Sequence, residues 1–145
     1  MTNPIYDCVI NKKTTKKPIW FMRQAGRYLP EFRKIRKLNP NFINLWWNKK
    51  LSAEITLQPL KRFDLSAAII FSDILMVPYG LHQKVNFKKN FGPELGDINL
   101  DNLLNIKKEE FIKKLNPIYN CLKKVKSNKI MKNKNLIGFV GAPWT

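Results

Sequence analysis

A single histidine, His82, and two cysteines, Cys8 and Cys121, are all the imidazole and thiol that the 145 residues contain. The cysteines lie far apart and in no metal-ligand spacing, so neither a disulfide framework nor a zinc centre is supported. Two free thiols in a reducing compartment are expected. A Ser/His/Asp or Cys/His apparatus has only His82 to build on, and no supporting motif surrounds it, so a surface or structural role is expected there. Long apolar runs are missing as well. None approaches the roughly 20 residues of a membrane helix, the first residues carry no signal-peptide core, and Asp7 argues against a transit peptide. A cytoplasmic protein without membrane association is expected.

Acid is the other shortage. Ten Asp and Glu stand against 27 Lys and Arg, a net charge of +17. Such a balance suits nucleic acid, an acidic membrane surface or an anionic substrate. The excess is mostly lysine, spread along the whole chain among asparagines and isoleucines. Most of these lysines are expected on solvated faces, where their screened field attracts anions without choosing among them. At 44% hydrophobic and 12% aromatic residues the composition is globular. The length suits one domain, burying about 68–70% of its unfolded surface.

What stands out is the stretch Pro18-Ile19-Trp20-Phe21-Met22-Arg23-Gln24-Ala25-Gly26-Arg27-Tyr28-Leu29-Pro30. An apolar run feeds two arginines four residues apart, and the residues between them are short or polar. Such a backbone can approach a ligand and aim N–H groups at it, while each guanidinium fork matches a carboxylate or phosphate. The arrangement suits a small polyanion. The competing reading is that Arg23 and Arg27 pair internally with acids such as Glu31 or Asp73.

Three further blocks follow: 54–63 (Glu-Ile-Thr-Leu-Gln-Pro-Leu-Lys-Arg-Phe), 67–75 (Ala-Ala-Ile-Ile-Phe-Ser-Asp-Ile-Leu) and 136–145 (Leu-Ile-Gly-Phe-Val-Gly-Ala-Pro-Trp-Thr). Together with Met22 to Arg33, these four ordered blocks resemble the N-terminal part of the uroporphyrinogen decarboxylases of haem biosynthesis. The resemblance runs from about Pro18 to Thr145 and is weak only between Leu81 and Lys134.

Along the chain, residues 1–17 read as a basic arm with a short helix around Tyr6, Cys8 and Ile10, and 18–30 as the arginine loop. Pro30 suits the first position of a helix carrying Phe32, Ile35 and Leu38 inward, which Asn39-Pro40 ends. Phe42, Leu45 and Trp46 mark another helical turn, with Trp46 and Trp47 as core bulk. A longer helix is expected from Ser52 as its cap, with a kink or break at Pro59. Ala67 to Phe71 is a continuous apolar run, as in a parallel strand covered on both faces. It ends in Ser72-Asp73, and Asp73 either lies at the active face of a barrel or caps the following turn. Ile74 to Gly80 reads as an apolar loop, Lys84 to Lys88 as an exposed hairpin strand before the turn residues Gly92, Pro93 and Gly96, and Ile106 to Leu115 as an amphipathic helix. Asn116-Pro117 restarts a helix whose inner face is Ile118, Cys121, Leu122 and Val125. After the loop Ser127 to Asn135, Leu136 to Val140 reads as a second buried strand before the turn Gly141-Ala142-Pro143. A parallel strand without a covering helix leaves apolar surface and an edge open, so the sequence reads as truncated.

The resemblance implies an α/β fold: N-terminal helices over 31–64, then the opening strands of a (β/α)8 TIM barrel, incomplete, over 65–145. It implies decarboxylation of the acetate side chains of uroporphyrinogen, with no cofactor or metal. It further implies Asp73 as the catalytic group, facing the pyrrole N–H groups, and Arg23 and Arg27 as carboxylate anchors helped by the backbone of Gln24, Ala25 and Gly26. Ile69 and Phe71 are implied as apolar wall. The family's tyrosine, serine or threonine, and histidine contacts have no counterpart here, so these residues alone are expected to be inactive. A homodimer and a porphyrinogen substrate, with no nucleic acid or membrane partner, complete the reading. Its rivals are a basic nucleic-acid-binding module and a non-catalytic remnant or dimerisation segment.

Overall fold

The computed structural model describes residues 3–13, 16–88 and 92–141. Its elements in order are α1 (Pro4–Val9), α2 (Pro30–Leu38), α3 (Phe42–Trp47), α4 (Lys49–Arg62), β1 (Ala67–Ile69), α5 (Met76–Gly80), β2 (Val85–Lys88), β3 (Gly92–Leu95), α6 (Leu100–Asn105), α7 (Lys108–Lys126) and β4 (Asn135–Ile137). The abundant asparagines have a local task. Asn3, Asn41, Asn48 and Asn99 start α1, α3, α4 and α6, and Asn128 starts a 3₁₀ turn at Lys129–Met131; each side chain accepts a first-turn backbone N–H. That satisfies donors which a helix cannot pair internally.

β1 and β4 pair in parallel, with Ala67 opposite Asn135 and Ile69 opposite Ile137. β2 and β3 form an antiparallel hairpin. Behind the parallel pair, Ala53, Leu57 and Leu60 of α4 meet Ala68 and Ile70, with Cys121 and Val125 of α7. A second cluster joins Leu29, Phe32, Leu45 and Ile55, and Phe71 packs against it. Trp46, fully buried, anchors a third with Met76 and Leu115.

Several sequence expectations are corrected here. The long helix starts at Asn48, not at Ser52, which is buried inside α4 and donates its hydroxyl to the carbonyl of Phe71 at 2.7 Å. α4 runs through Pro59 to Arg62 without a break, and Pro117 lies inside a single 19-residue helix instead of restarting one. In each case packing of α4 on α7 outweighs the lost hydrogen bond. Leu38, the last residue of α2, is 81% exposed, because six residues at 3.6 per turn place it about 120° around the helix from buried Phe32. Ile74 to Gly80 contains α5, not only loop. Gly92 and Pro93 belong to β3, where Gly92 takes φ of 91°, and Phe87 of the supposedly exposed strand enters the aromatic cluster beside Trp46. β4 is shorter than the apolar run, leaving Gly138 to Val140 exposed. The expected turn beyond Gly141 lies outside the described residues, as do residues 1, 2, 14 and 15 of the expected arm. His82 pairs with Glu110 at 2.9 Å on the surface.

Candidate active site

The arginine loop is laid along β1. Ile19 accepts a hydrogen bond from Ser66 N–H at 2.7 Å, and its own N–H donates to Ser66 Oγ at 3.1 Å. One level higher, the side chain of Gln24, only 2% exposed, spans two backbone groups of β1: Nε2 donates to the Ala67 carbonyl at 2.9 Å and Oε1 accepts from Ile69 N–H at 3.3 Å. Higher still, Ala25 and buried Leu29 share a cluster with Phe71. The loop therefore climbs the strand to a point two residues before Asp73.

Within the loop, Leu29 N–H closes a turn on the Gly26 carbonyl at 3.0 Å, and the Tyr28 hydroxyl donates to the Gln24 carbonyl. Arg33 of α2 donates to the Arg27 carbonyl at 2.9 Å. The backbone is thus held from three sides while Arg23 and Arg27 stay exposed. Among the described residues neither arginine forms an ion pair. Glu31, the acid the competing reading offered them, is taken by Arg62 at 2.8 Å. The Arg62 hydrogen bond holds the Glu31 carboxyl below its usual range, so the pair contributes stability above the unfolded carboxylate pKa of about 4.3 that is lost as pH falls. Arg62→Ala should move the Glu31 carboxyl titration, followed by NMR, to higher pH; an unmoved titration would leave the pair without electrostatic weight. Gly26 needs no glycine for its own conformation: an added Cβ would meet the Tyr28 ring at an ordinary 3.5 Å.

Asp73 lies just past the end of β1, half-buried. Its Oδ1 accepts from Leu75 N–H at 2.9 Å, so the capping role anticipated for it is real. Burial pushes the carboxyl above its usual range, and the Leu75 amide only partly opposes this. No cation among the described residues pairs with it, so Asp73 and the two arginines stand as unpaired opposite charges. Ile69 is half-buried, with its N–H committed to Gln24. The Phe71 ring stands edge-on to Phe32 and Phe42, with centroids 5.9 and 5.7 Å away, so much of its surface is already core.

Sequence reasoning missed the amide of Gln24 and the hydroxyls of Ser52 and Thr56, the last accepting from Phe71 N–H at 2.9 Å. Polar residues in otherwise apolar positions of α4 were the available signal. An open groove of about 630 Å³ between the start of α4 and α7, lined by Asn44, Trp47, Asn48 and Asn120, holds none of the expected site residues.

The uroporphyrinogen decarboxylase profile matches residues 2–145. The chain belongs to the uroporphyrinogen decarboxylase family. It is 43% identical over 138 residues to a uroporphyrinogen decarboxylase of Agrobacterium fabrum, covering 94% of this chain and 40% of that protein. A second relative of that name, from Rickettsia felis, is 43% identical over 136 residues, 94% of this chain and 39% of its own length. A third, from Rickettsia canadensis, is 45% identical over 130 residues, covering 90% and 38%. The chain thus spans about two fifths of the length of the curated relatives it matches. Among the described residues no helix is long and apolar enough to cross a membrane, and no cluster of His, Cys, Asp and Glu has the makings of a metal site.

Proposed function

We propose that this chain supplies the carboxylate-binding loop and the strand-end aspartate of a uroporphyrinogen decarboxylase. The observation that carries the reading is the loop of Arg23 and Arg27, free of ion pairs with the described residues, laid along the strand that leads to an equally unpaired Asp73. Residues 65–145 act as the first units of a (β/α)8 barrel, with β1 and β4 as neighbouring parallel strands and the helices of 31–64 packed before them.

The chemistry asks for such a pair of features. Each acetate side chain loses carbon dioxide when the bond between its methylene and carboxyl carbons breaks; the electron pair enters a pyrrole ring that has been protonated. A proton then adds to the methylene to give a methyl group, and the ring gives its proton back, so each round consumes one proton and releases one carbon dioxide. The substrate is its own electron sink and asks for no cofactor. Asp73, held by Leu75 beside the ring, accepts from the pyrrole N–H groups and offsets the transient positive charge. Arg23 and Arg27 anchor carboxylates, with backbone N–H groups of Gln24, Ala25 and Gly26 beside them. A guanidinium with a pKa above about 12 is a poor acid near neutrality, so the arginines anchor substrate and do not deliver protons. Ile69 and the remaining face of Phe71 form apolar wall. The working protein is a cytoplasmic homodimer.

Fluorescence titration of the air-stable oxidised substrate, uroporphyrin, tests the reading. Gly26→Ala should leave the melting temperature within the ±0.5 kcal/mol equivalent of a neutral surface change yet weaken uroporphyrin binding several-fold, because the new methyl, seated against the Tyr28 ring, obstructs the approach of a carboxylate to the loop backbone. Unchanged binding would remove the close approach from the account. The net charge of +17 favours one other reading, a nucleic-acid module. That reading predicts steeply salt-dependent binding to any duplex and no preference for porphyrins.

A further inference from the structure

The edge of β1 opposite β4 has no strand neighbour among the described residues. On the β4 side, Ile70 N–H donates to Ile137 at 3.0 Å and Asn135 N–H to Ser66 at 3.0 Å, so the even-numbered groups from the Ser66 carbonyl to the Ile70 N–H face β4. Odd-numbered groups face the other way. There Gln24 takes the Ala67 carbonyl and the Ile69 N–H, while Thr56 and Ser52 of α4 take the N–H and carbonyl of Phe71. A primary amide carries one acceptor and one donor side by side, as a strand's peptide edge does. Of these groups only Gln24 belongs to the arginine loop.

We infer that the Gln24 side chain is the positioning residue of the site: by standing in for a strand neighbour it fixes the register of the loop on β1, and so the height of Arg23 and Arg27 relative to Asp73. The contact spans more than 40 residues of sequence; its bond to Ala67 is buried and its bond to Ile69 partly so. It commits both ends of the amide, so this side chain does not itself touch substrate. Without Gln24 the loop keeps its turn through Leu29 and Tyr28 and its start through the Ile19–Ser66 pair, but among the described residues the segment that carries Arg23 and Arg27 has no hydrogen bond to β1. Positioning of this kind acts on affinity and rate through geometry, and small misplacements are costly.

The inference rests on the proposed function, and a double-mutant cycle on the 145-residue chain separates the two. Uroporphyrin binding is measured for Gln24→Leu, Arg27→Ala, both together and Asp73→Asn. Gln24→Leu should weaken binding about tenfold, and Arg27→Ala should cost much less on that background than alone, since a misplaced arginine has little left to lose. Full additivity, or unchanged binding in Gln24→Leu beside a weakened Arg27→Ala, overturns the positioning role and leaves the proposed function standing. Indifference of binding to Arg27→Ala and Asp73→Asn overturns both. If Gln24→Leu fails to fold, NMR of the unsubstituted chain decides: slow exchange of the Gln24 amide protons supports the clamp, and exchange at the rate of an exposed glutamine overturns it.

Discussion

Asp73→Asn should raise the thermal midpoint of the chain at pH 7 while weakening uroporphyrin binding by one to two orders of magnitude. Asparagine keeps the oxygen that accepts from Leu75, so the cap survives. It removes a charge that burial penalises. The sign is fixed by the raised folded pKa. Between the unfolded value near 3.9 and the folded one, the native state holds more proton than the unfolded state, so stability falls as pH rises through that window. Below the unfolded value both states are protonated and the charge costs nothing. The melting advantage of the variant should therefore be absent at low pH, grow through the window and level off above it. Binding moves the other way, since a charge-assisted hydrogen bond is worth roughly 1.5–3 kcal/mol, about tenfold to a hundredfold in affinity. A variant that both melts lower and binds as before would show Asp73 to be a structural cap and nothing more.

Arg27→Ala should weaken uroporphyrin binding by a similar one to two orders of magnitude and leave the melting temperature where it was. No ion pair to a described residue is lost, because Glu31 already belongs to Arg62. The neighbouring Arg36, whose guanidinium lies 4.9 Å over the Phe42 ring, is relieved of a like charge: burial first, and then Arg27, depress its pKa. The salt dependence of binding should flatten, as one cation leaves the contact. Arg33→Ala is the useful contrast, since it keeps both anchors but frees the Arg27 carbonyl. It should cost a smaller loss of affinity together with a lowered melting temperature. Equal effects for Arg27→Ala and a surface substitution such as Lys37→Ala would reduce the loop to bulk charge.

Composition and periodicity anticipated much of the scaffold because local chemistry decided it. Pro30 at a helix start, the apolar run of β1 and the inner face of Cys121 and Val125 each depend on neighbours a few residues away. Failures occurred where distant packing overrode a local rule. Pro59 and Pro117 break helices in isolation, yet α4 and α7 continue because their faces are buried against each other. Ser52 has the chemistry of a cap, but Asn48 takes that place and Ser52 serves the end of β1. The arginines and Asp73 were legible as residue types in order. The device joining loop to strand was not, since a lone glutamine gives no sign that its amide lies against a strand 43 residues away.

The most direct measurement is titration of the chain with uroporphyrin in the presence of excess duplex DNA at physiological salt. The account predicts that porphyrin fluorescence still reports saturable binding, that DNA leaves the affinity within a factor of two, and that Asp73→Asn and Arg27→Ala each weaken it. Porphyrin binding abolished by DNA, or indifferent to both substitutions, would contradict it, reducing the arginine loop and Asp73 to one charged surface among the chain's many.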